Sequence, residues 1–116
     1  EVFIVEYNGK FPPPIRFAID YNDNHRAEYN DYFGASLATY FDLFQKHGYF
    51  LACCNITGIN AFFIKNEHRK YFADIPEELE KAYSPSRYFL FRVEATGHPT
   101  SAKTIELFMA RVNSGE

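Results

Sequence analysis

The amino-acid sequence predicts an α/β domain with a partial doubly wound, mixed sheet, an antiparallel C-terminal hairpin and flanking helices. Residues Val2–Glu6 form an apolar run of mostly β-branched and aromatic residues, which is typical of a strand covered on both faces. A helix-like segment follows residue 36, and two strand-like runs lie at 49–55 and 60–65. A strand, a helical crossover and a strand make the βαβ unit of a parallel sheet, and the hairpin adds an antiparallel strand at an edge.

The first predicted strand ends in three polar or half-polar residues, Glu6, Tyr7 and Asn8. Gly9 and the prolines at 12–14 then stop the strand, because proline donates no backbone hydrogen bond and keeps the residue before it extended. Residues 15–19 are predicted to be a short extended piece. Residues 20–31 contain three Asn and three Asp, a composition that indicates a surface loop.

The first helix has the clearest signals in the sequence. Ser36 is a good N-cap residue, and Gly48 is placed to end the helix. Between them, apolar residues recur at i, i+3, i+4 and i+7: Leu37, Tyr40, Phe41 and Phe44. The two strands that follow are joined by residues 56–59, where Gly58 supplies turn geometry, so a hairpin is predicted.

The remaining residues, 71–116, are predicted to be mainly helical and carry no assignable motif. Asp74 as N-cap, with a carboxylate three positions later, predicts a short helix through about Ala82 that Pro85 ends. Residues 87–94 are ambiguous, with the composition of a strand. A final helix over 100–112 has one apolar face: Ala102, Ile105, Phe108, Met109 and Val112. The length of 116 residues fits one domain, residues 1–116.

Composition and charge exclude several classes of protein. The net charge of −3 and the scattered Lys and Arg residues give no basic stripe, so nucleic-acid binding is not expected. No apolar run reaches the roughly 18–20 residues of a membrane span, and a cytoplasmic location is expected. Cys53 and Cys54 are adjacent in a strand, where neighbours point to opposite faces, so reduced structural thiols are expected.

Most motifs that carry chemistry are absent from the sequence. The six glycines never form Gly-x-Gly, and no Gly-Lys-Ser/Thr occurs, so a phosphate-binding loop is excluded. The four histidines lie far apart without zinc-ligand spacing, and no metal site is expected. Asn55-Ile56-Thr57 matches the glycosylation pattern but lies at a tight turn beside two cysteines, so we reject it.

Two polar sets remain as candidates for a site. Glu6, Tyr7 and Asn8 lie where ligands bind in open α/β sheets, beyond the carboxyl end of a strand. The second set is the hairpin turn, with Asn55 and Asn60, together with the segment before the first helix that contains Tyr32. Each set also has a structural interpretation, because Asn in turns bonds its own backbone and aromatic residues before a helix pack on the core.

Read together, two segments resemble a known family: IVEYNGKF, and YFGASLATYFDLFQKHGYFLACCNITGINAFFIKNE. They are similar to the C-terminal half of bacterial methyltransferase-like proteins related to the FkbM family, often encoded with polysaccharide biosynthesis genes. The match covers about residues 2–70. The resemblance implies the class I fold that uses S-adenosylmethionine, a doubly wound sheet whose last strand runs antiparallel, with Val2–Glu6 inside the sheet.

The resemblance also implies roles for the polar residues. Glu6 would be the catalytic base or orienting group, with Tyr7 and Asn8 positioning the acceptor hydroxyl. Tyr32, Asn55 and Asn60 are expected to be substrate-binding residues. In such proteins the methyl donor binds the preceding half of the domain, and a chain that begins at Glu1 is expected to be part of a longer protein. This chain alone is therefore not expected to bind S-adenosylmethionine or to be active.

Two readings of function stay open at this point. The favoured one is the C-terminal part of a methyltransferase that acts on a sugar or another small acceptor in polysaccharide biosynthesis. The alternative is a non-catalytic module that uses its 13 Phe and 9 Tyr residues for self-association or for holding a partner. Both readings include a homo-oligomer, because the exposed edge and apolar face beside residues 2–5 need a cover.

Overall fold

The computed structural model describes residues 1–26, 28, 30–87, 90 and 100–115. These residues belong to two compact units, Glu1–Ser86 and Arg87–Glu116, which are treated separately below. Most of the ambiguous segment 87–94 lies outside the described residues.

The first unit contains three strands and three helical segments. They are β1 (Val2–Glu6), α1 (Leu37–Lys46), β2 (Tyr49–Cys54), β3 (Asn60–Lys65), a 3-10 helix (Asn66–Tyr71) and α2 (Leu79–Ala82). The α/β class, the first helix and the hairpin are therefore confirmed. The helix predicted from Asp74 is wrong in its start: α2 begins at Leu79 with Glu78 as its N-cap, and the 3-10 helix was not predicted.

The sheet has the order β1-β3-β2, and both of its pairings are antiparallel, so the predicted mixed sheet with a parallel pairing of the first two strands is wrong. The predicted antiparallel strand exists, but its predicted position at an edge is wrong, because β3 lies in the centre. Strands β1 and β2 run in the same direction, since both are antiparallel to β3, but they share no ladder. The tight turn after β2 explains the arrangement: it returns β3 beside β2, and the outer edge of β3 then receives β1.

Helix α1 forms as predicted and covers one face of the sheet. The Ser36 hydroxyl accepts a hydrogen bond from the Thr39 amide at 3.3 Å, and Gly48 ends the helix at φ +84°. The Phe44 ring stacks on Phe63 of β3, with centroids 4.2 Å apart. The buried core of this layer consists of Tyr7, Leu37, Leu51, Ala61 and Phe63. Burial of a Leu or Phe side chain contributes about 1.5–3 kcal/mol, so this layer holds the first unit together.

Strand β1 is an exposed strand, which contradicts the prediction that it is covered on both faces. Val2, Phe3 and Ile4 are 55%, 49% and 61% exposed. Alternation places Val2, Ile4 and Glu6 on the face away from α1, together with their β3 partners Ile64, Phe62 and Asn60. Among the residues that the structure describes, β1 has a ladder with β3 alone. Apolar composition was therefore a poor guide to burial in this strand.

Strand β2 carries a β-bulge at Ala52. Leu51 pairs with Phe63 and Cys53 pairs with Phe62, so Ala52 is one extra residue in β2. Leu51 and Cys54 consequently lie on the core face, opposite Phe63 and Ala61, whereas Cys53 is exposed.

In the second unit, helix α3 spans Ala102–Asn113, close to the predicted range. Its larger apolar side chains are about half exposed or more: Leu107, Phe108, Met109 and Val112. Within the described ranges, every helix is too short or too polar to cross a bilayer.

Candidate functional site

The carboxyl end of β1 carries the three residues predicted to form a site, and they have different environments. Glu6 is exposed and lies opposite Asn60 in the β1–β3 register. The pKa of the Tyr40 hydroxyl, on helix α1, is raised mainly by burial and to a smaller extent by the Glu6 carboxylate. Glu6 is therefore a solvent-exposed carboxylate at the end of a strand. A general base must be accessible in this way to a substrate that enters from solvent.

Tyr7 is buried, with 2% of its surface exposed. Its hydroxyl donates a hydrogen bond to the Ser84 carbonyl at 2.5 Å, and its amide donates to the Ile59 carbonyl at 2.9 Å. Burial raises the pKa of the Tyr7 hydroxyl far above its ordinary value, and the neighbouring Cys54 thiol adds to the shift. The phenol is thus a neutral donor that is already bonded to the chain.

Asn8 is 1% exposed and holds the following loop in place. Its Nδ2 donates to the carbonyls of Asp31 at 2.9 Å and Phe33 at 3.1 Å. Its Oδ1 accepts from the Lys10 amide at 3.2 Å. An Asn side chain has two N–H donors and one carbonyl, and all of them have partners here. In this structure Asn8 is a support for the loop, and a direct contact with substrate stays a prediction.

Asn55 organises the hairpin turn. Its Oδ1 accepts hydrogen bonds from the amides of Ile59 and Asn60, both at 3.0 Å, and its carbonyl accepts from Gly58 at 3.0 Å. This is the backbone-bonding role that Asn has in turns. The turn brings Asn60 beside Glu6, so two of the residues predicted for the site do lie together.

Residues 83–86 pass over this turn and over the end of β1, and we call them the cover segment. The Tyr83 hydroxyl donates to the Gly9 carbonyl at 2.6 Å, and the Ser86 hydroxyl donates to the Gly58 carbonyl at 3.3 Å. The approach is close enough to require glycine: a Cβ on Gly58, where φ is +71°, would lie 2.1 Å from the Pro85 carbonyl oxygen. This segment was not predicted from the sequence, although Gly58 was a signal of close approach.

Tyr32 lines an open cleft of about 270 Å³ formed by the loop after β1. We call it the aromatic cleft; its lining consists of Phe11, Phe17, Asn30, Asp31 and Tyr32. The Tyr32 hydroxyl accepts a hydrogen bond from the Asp20 amide at 2.8 Å. Tyr32 was predicted to belong to a site, whereas Phe11 and Phe17, which flank the prolines, gave no periodic signal and were not predicted.

A third group of polar residues lies at the opposite end of β1. Ligand atoms of Glu1, Glu67 and His68 lie within 4.8 Å of one another. The His68 Nε2 is 3.2 Å from a Glu67 oxygen and 3.5 Å from a Glu1 oxygen. Lys65 is paired with Glu1 at 3.4 Å, so a cation already balances part of this charge. Glu1 and Glu67 are exposed and His68 is half-buried, and contacts of this kind at a surface add little stability.

The two cysteines are free thiols with different exposure. Cys53 is exposed, whereas Cys54 packs against the core beside Tyr7. Burial raises the pKa of both thiols, and the Tyr7 hydroxyl partly opposes the shift at Cys54. A raised pKa lowers the thiolate fraction, so neither cysteine has the properties of a nucleophile.

Comparisons with protein-family models, with curated proteins and with solved structures gave no match for this chain. What the geometry defines is an α/β unit with an exposed carboxylate, Glu6, at the end of a strand. Beside it, buried Tyr7 and Asn8 connect the strand to the cover segment and to the aromatic cleft.

Proposed function

We propose that this chain is the C-terminal portion of an S-adenosylmethionine-dependent methyltransferase-like protein that acts on a sugar or another small hydroxyl-bearing acceptor. The observation that carries the proposal is the strand arrangement. The last strand within the described residues, β3, is antiparallel to two strands that share a direction and are linked through helix α1. A last strand that runs antiparallel is what the resemblance over residues 2–70 implies, and an exposed Glu6 at the end of β1 agrees with it.

The donor-binding part of such a protein does not fit the residues of this chain. Its six glycines never form a Gly-x-Gly turn after a strand, so no residue set here is suited to hold the methyl donor. In this proposal, the residues of this chain therefore contact the acceptor and not the methyl donor. Residues that precede Glu1 in a longer protein are expected to bind the donor.

In this proposal, Glu6 accepts the proton that the acceptor hydroxyl loses as it reacts. A carboxylate can do this where it meets the substrate from solvent and lies within hydrogen-bond reach of the hydroxyl. Asn60, opposite Glu6, offers an amide that can orient the same hydroxyl. Tyr7 and Asn8 act as positioning residues, because their polar atoms hold the cover segment and the loop. Asn55 shapes the turn, and Tyr32 contacts the acceptor.

The test is Glu6→Gln in the longer protein. Turnover should fall at least roughly tenfold, the low end of what the loss of a general base costs, while affinity for the donor stays the same. The matched control is Glu80→Gln, which changes an exposed carboxylate of α2 and should leave turnover unchanged. Equal turnover for Glu6→Gln and the unmodified protein would contradict the catalytic role. Calorimetry of the present chain with S-adenosylmethionine should give no binding signal.

A second candidate function is a non-catalytic module that associates with itself or with a partner, which includes a homo-oligomer. The observation that favours it is the apolar face of β1, where Val2 and Ile4 are more than half exposed. Exposed apolar strands at a sheet edge commonly pair with another chain.

Sedimentation of the purified chain tests whether the chain associates with itself through β1. A dimer that Ile4→Lys converts to a monomer, and that Ile15→Lys leaves intact, would support pairing through β1; Ile15 is 47% exposed in the loop and serves as the matched control. A monomer at all concentrations would exclude self-association through this face.

A further inference from the structure

We propose that a pocket beside β2 binds a free amino acid with an apolar side chain, such as leucine, through its carboxylate and its ammonium group together. The pocket, called the β2 pocket below, has a volume of about 220 Å³. Its lining includes Phe41 and Gln45 of α1, Phe50 of β2, Arg69 of the 3-10 helix, and Ile75 and Glu77 of the loop before α2. None of these residues belongs to the site of the proposed function, so the inference is independent of that proposal.

Arg69 supplies the pocket with a cation that is held in place. Its guanidinium carbon lies 5.1 Å from the centroid of the Phe50 ring, and its Nη1 donates a hydrogen bond to the Phe72 carbonyl at 3.1 Å. A guanidinium group has five N–H donors in a rigid fork that matches the two oxygens of a carboxylate. The bond to Phe72 uses one of these donors, so the others can bind the carboxylate of a ligand.

Glu77 supplies an opposite charge that Arg69 does not neutralise. Within the described part of the chain the two side chains form no ion pair, so their nitrogen and oxygen atoms lie more than 4.0 Å apart although both line the same pocket. The side-chain amide of Gln45 likewise has no hydrogen-bond partner among the described residues. A separated cation and anion complement a zwitterion, because a ligand with one charge alone would bring that charge toward a like charge of the protein.

The rest of the lining fits an apolar side chain of small size. Phe41 and Ile75 are half-buried and offer aromatic and aliphatic surface beside the charged groups. Ligand pockets commonly have this composition, in which apolar side chains supply the contact area and a few polar groups fix the orientation. The volume of about 220 Å³ lies below the usual lower limit of about 300 Å³, so the pocket suits a ligand as small as a single amino acid.

The experiment is an NMR titration of the 116-residue chain with L-leucine, followed at the backbone amides. Three analogues each lack one part of leucine: 4-methylpentanoate lacks the ammonium group, 3-methylbutylamine lacks the carboxylate, and glycine lacks the side chain. We expect saturable shifts at residues 45, 50, 69, 75 and 77 with leucine. Each analogue should bind at least about tenfold more weakly, because it loses a hydrogen bond to a charged group or the burial of apolar surface.

Two variants assign the two charges of the ligand to their partners. Glu77→Gln should weaken leucine binding about threefold to tenfold and should not weaken the binding of 4-methylpentanoate, which has no ammonium group. Arg69→Gln should weaken the binding of both ligands. The matched controls are Glu80→Gln and Lys70→Gln, which change exposed charges that do not line the pocket and should leave leucine binding unchanged.

Three outcomes would overturn the inference. The first is the absence of any saturable shift with leucine. The second is equally tight binding of leucine and 4-methylpentanoate, because Glu77 would then take no part in recognition. The third is an equal loss of leucine binding in Glu77→Gln and Glu80→Gln, because the ligand would then lie outside the β2 pocket.

Discussion

The two ends of strand β1 have opposite environments, and neither environment follows from residue polarity. At the start of the strand, the apolar residues Val2 and Ile4 are 55% and 61% exposed. Immediately after the strand, Tyr7 and Asn8 are 2% and 1% exposed although both are polar. The difference lies in what surrounds each end. Every polar atom of the Asn8 side chain has a hydrogen-bond partner. The start of β1, within the described residues, has a neighbouring strand on one side. Burial of polar residues depends on such partners.

The largest expected effect comes from removing the amide group at the buried end. Asn8→Ala should lower the free energy of unfolding by about 3 kcal/mol, because two partly buried carbonyls and one amide lose the partner that the buried Asn8 side chain gives them. Ile4→Ala, at the exposed end, should cost less than about 1 kcal/mol. Urea unfolding of both variants measures the difference. Similar losses for the two variants would mean that exposure does not distinguish the ends of β1.

The second-largest expected effect concerns the close contact between Gly58 and the cover segment. It is measured by comparing alanine substitutions at two glycines that both have a positive φ. Gly58 and Gly34 have φ values of +71° and +57°, so alanine strains the backbone at both. At Gly34 the new Cβ meets open space, whereas at Gly58 it meets Pro85. Gly58→Ala should therefore destabilise the chain by about 2 kcal/mol more than Gly34→Ala, as overpacking does. Thermal or urea unfolding checks this, and equal costs would show that the contact with Pro85 relaxes freely.

The smallest expected effect is the pH dependence that the Tyr7 hydroxyl, at the buried end of β1, gives to the free energy of unfolding. Because burial raises the pKa of Tyr7 in the folded state, its contribution to stability is fully present below the ordinary tyrosine value of 10.0 and declines as the pH rises above it. Its share of the decline is at most about 1.4 kcal/mol per pH unit. Tyr7→Phe should remove that share, so the variant should lose stability less steeply above pH 10.0 than the unmodified chain. Ile4→Ala, which removes no titratable group, should keep the original slope; identical slopes for all three would contradict this role of Tyr7.

The predictable part of the fold lies where the signals are local. Helix α1 was predicted from the N-cap residue Ser36, from Gly48 at its end and from apolar residues at helical spacing. The hairpin was predicted from two strand-like runs on either side of Gly58. The position of β3 in the sheet and the exposure of β1 were not predictable, because they depend on which strand edges meet. Composition describes a residue, whereas exposure depends on its neighbours.

The candidate site was predictable only in part for the same reason. Glu6, at the end of a strand, and Asn60, at a hairpin turn, were both candidate site residues. They lie opposite each other in the β1–β3 register. The bond from Tyr7 to Ser84, however, joins residues 77 positions apart, and no sequence pattern indicated it. Phe11 and Phe17 were missed because their stacking depends on the path of a loop rather than on a repeat.

The bulge at Ala52 decides which of two adjacent thiols meets the solvent. In a regular strand Leu51 and Cys53 would share a face, so Cys53 would enter the core and Cys54 would point outward. The extra residue reverses that phase and places Cys54, partly buried, beside the Tyr7 phenol, while Cys53 is left exposed. An oxidant or alkylating reagent in solution therefore reaches Cys53 more readily than Cys54. A single inserted residue, and not the chemistry of cysteine, makes that choice.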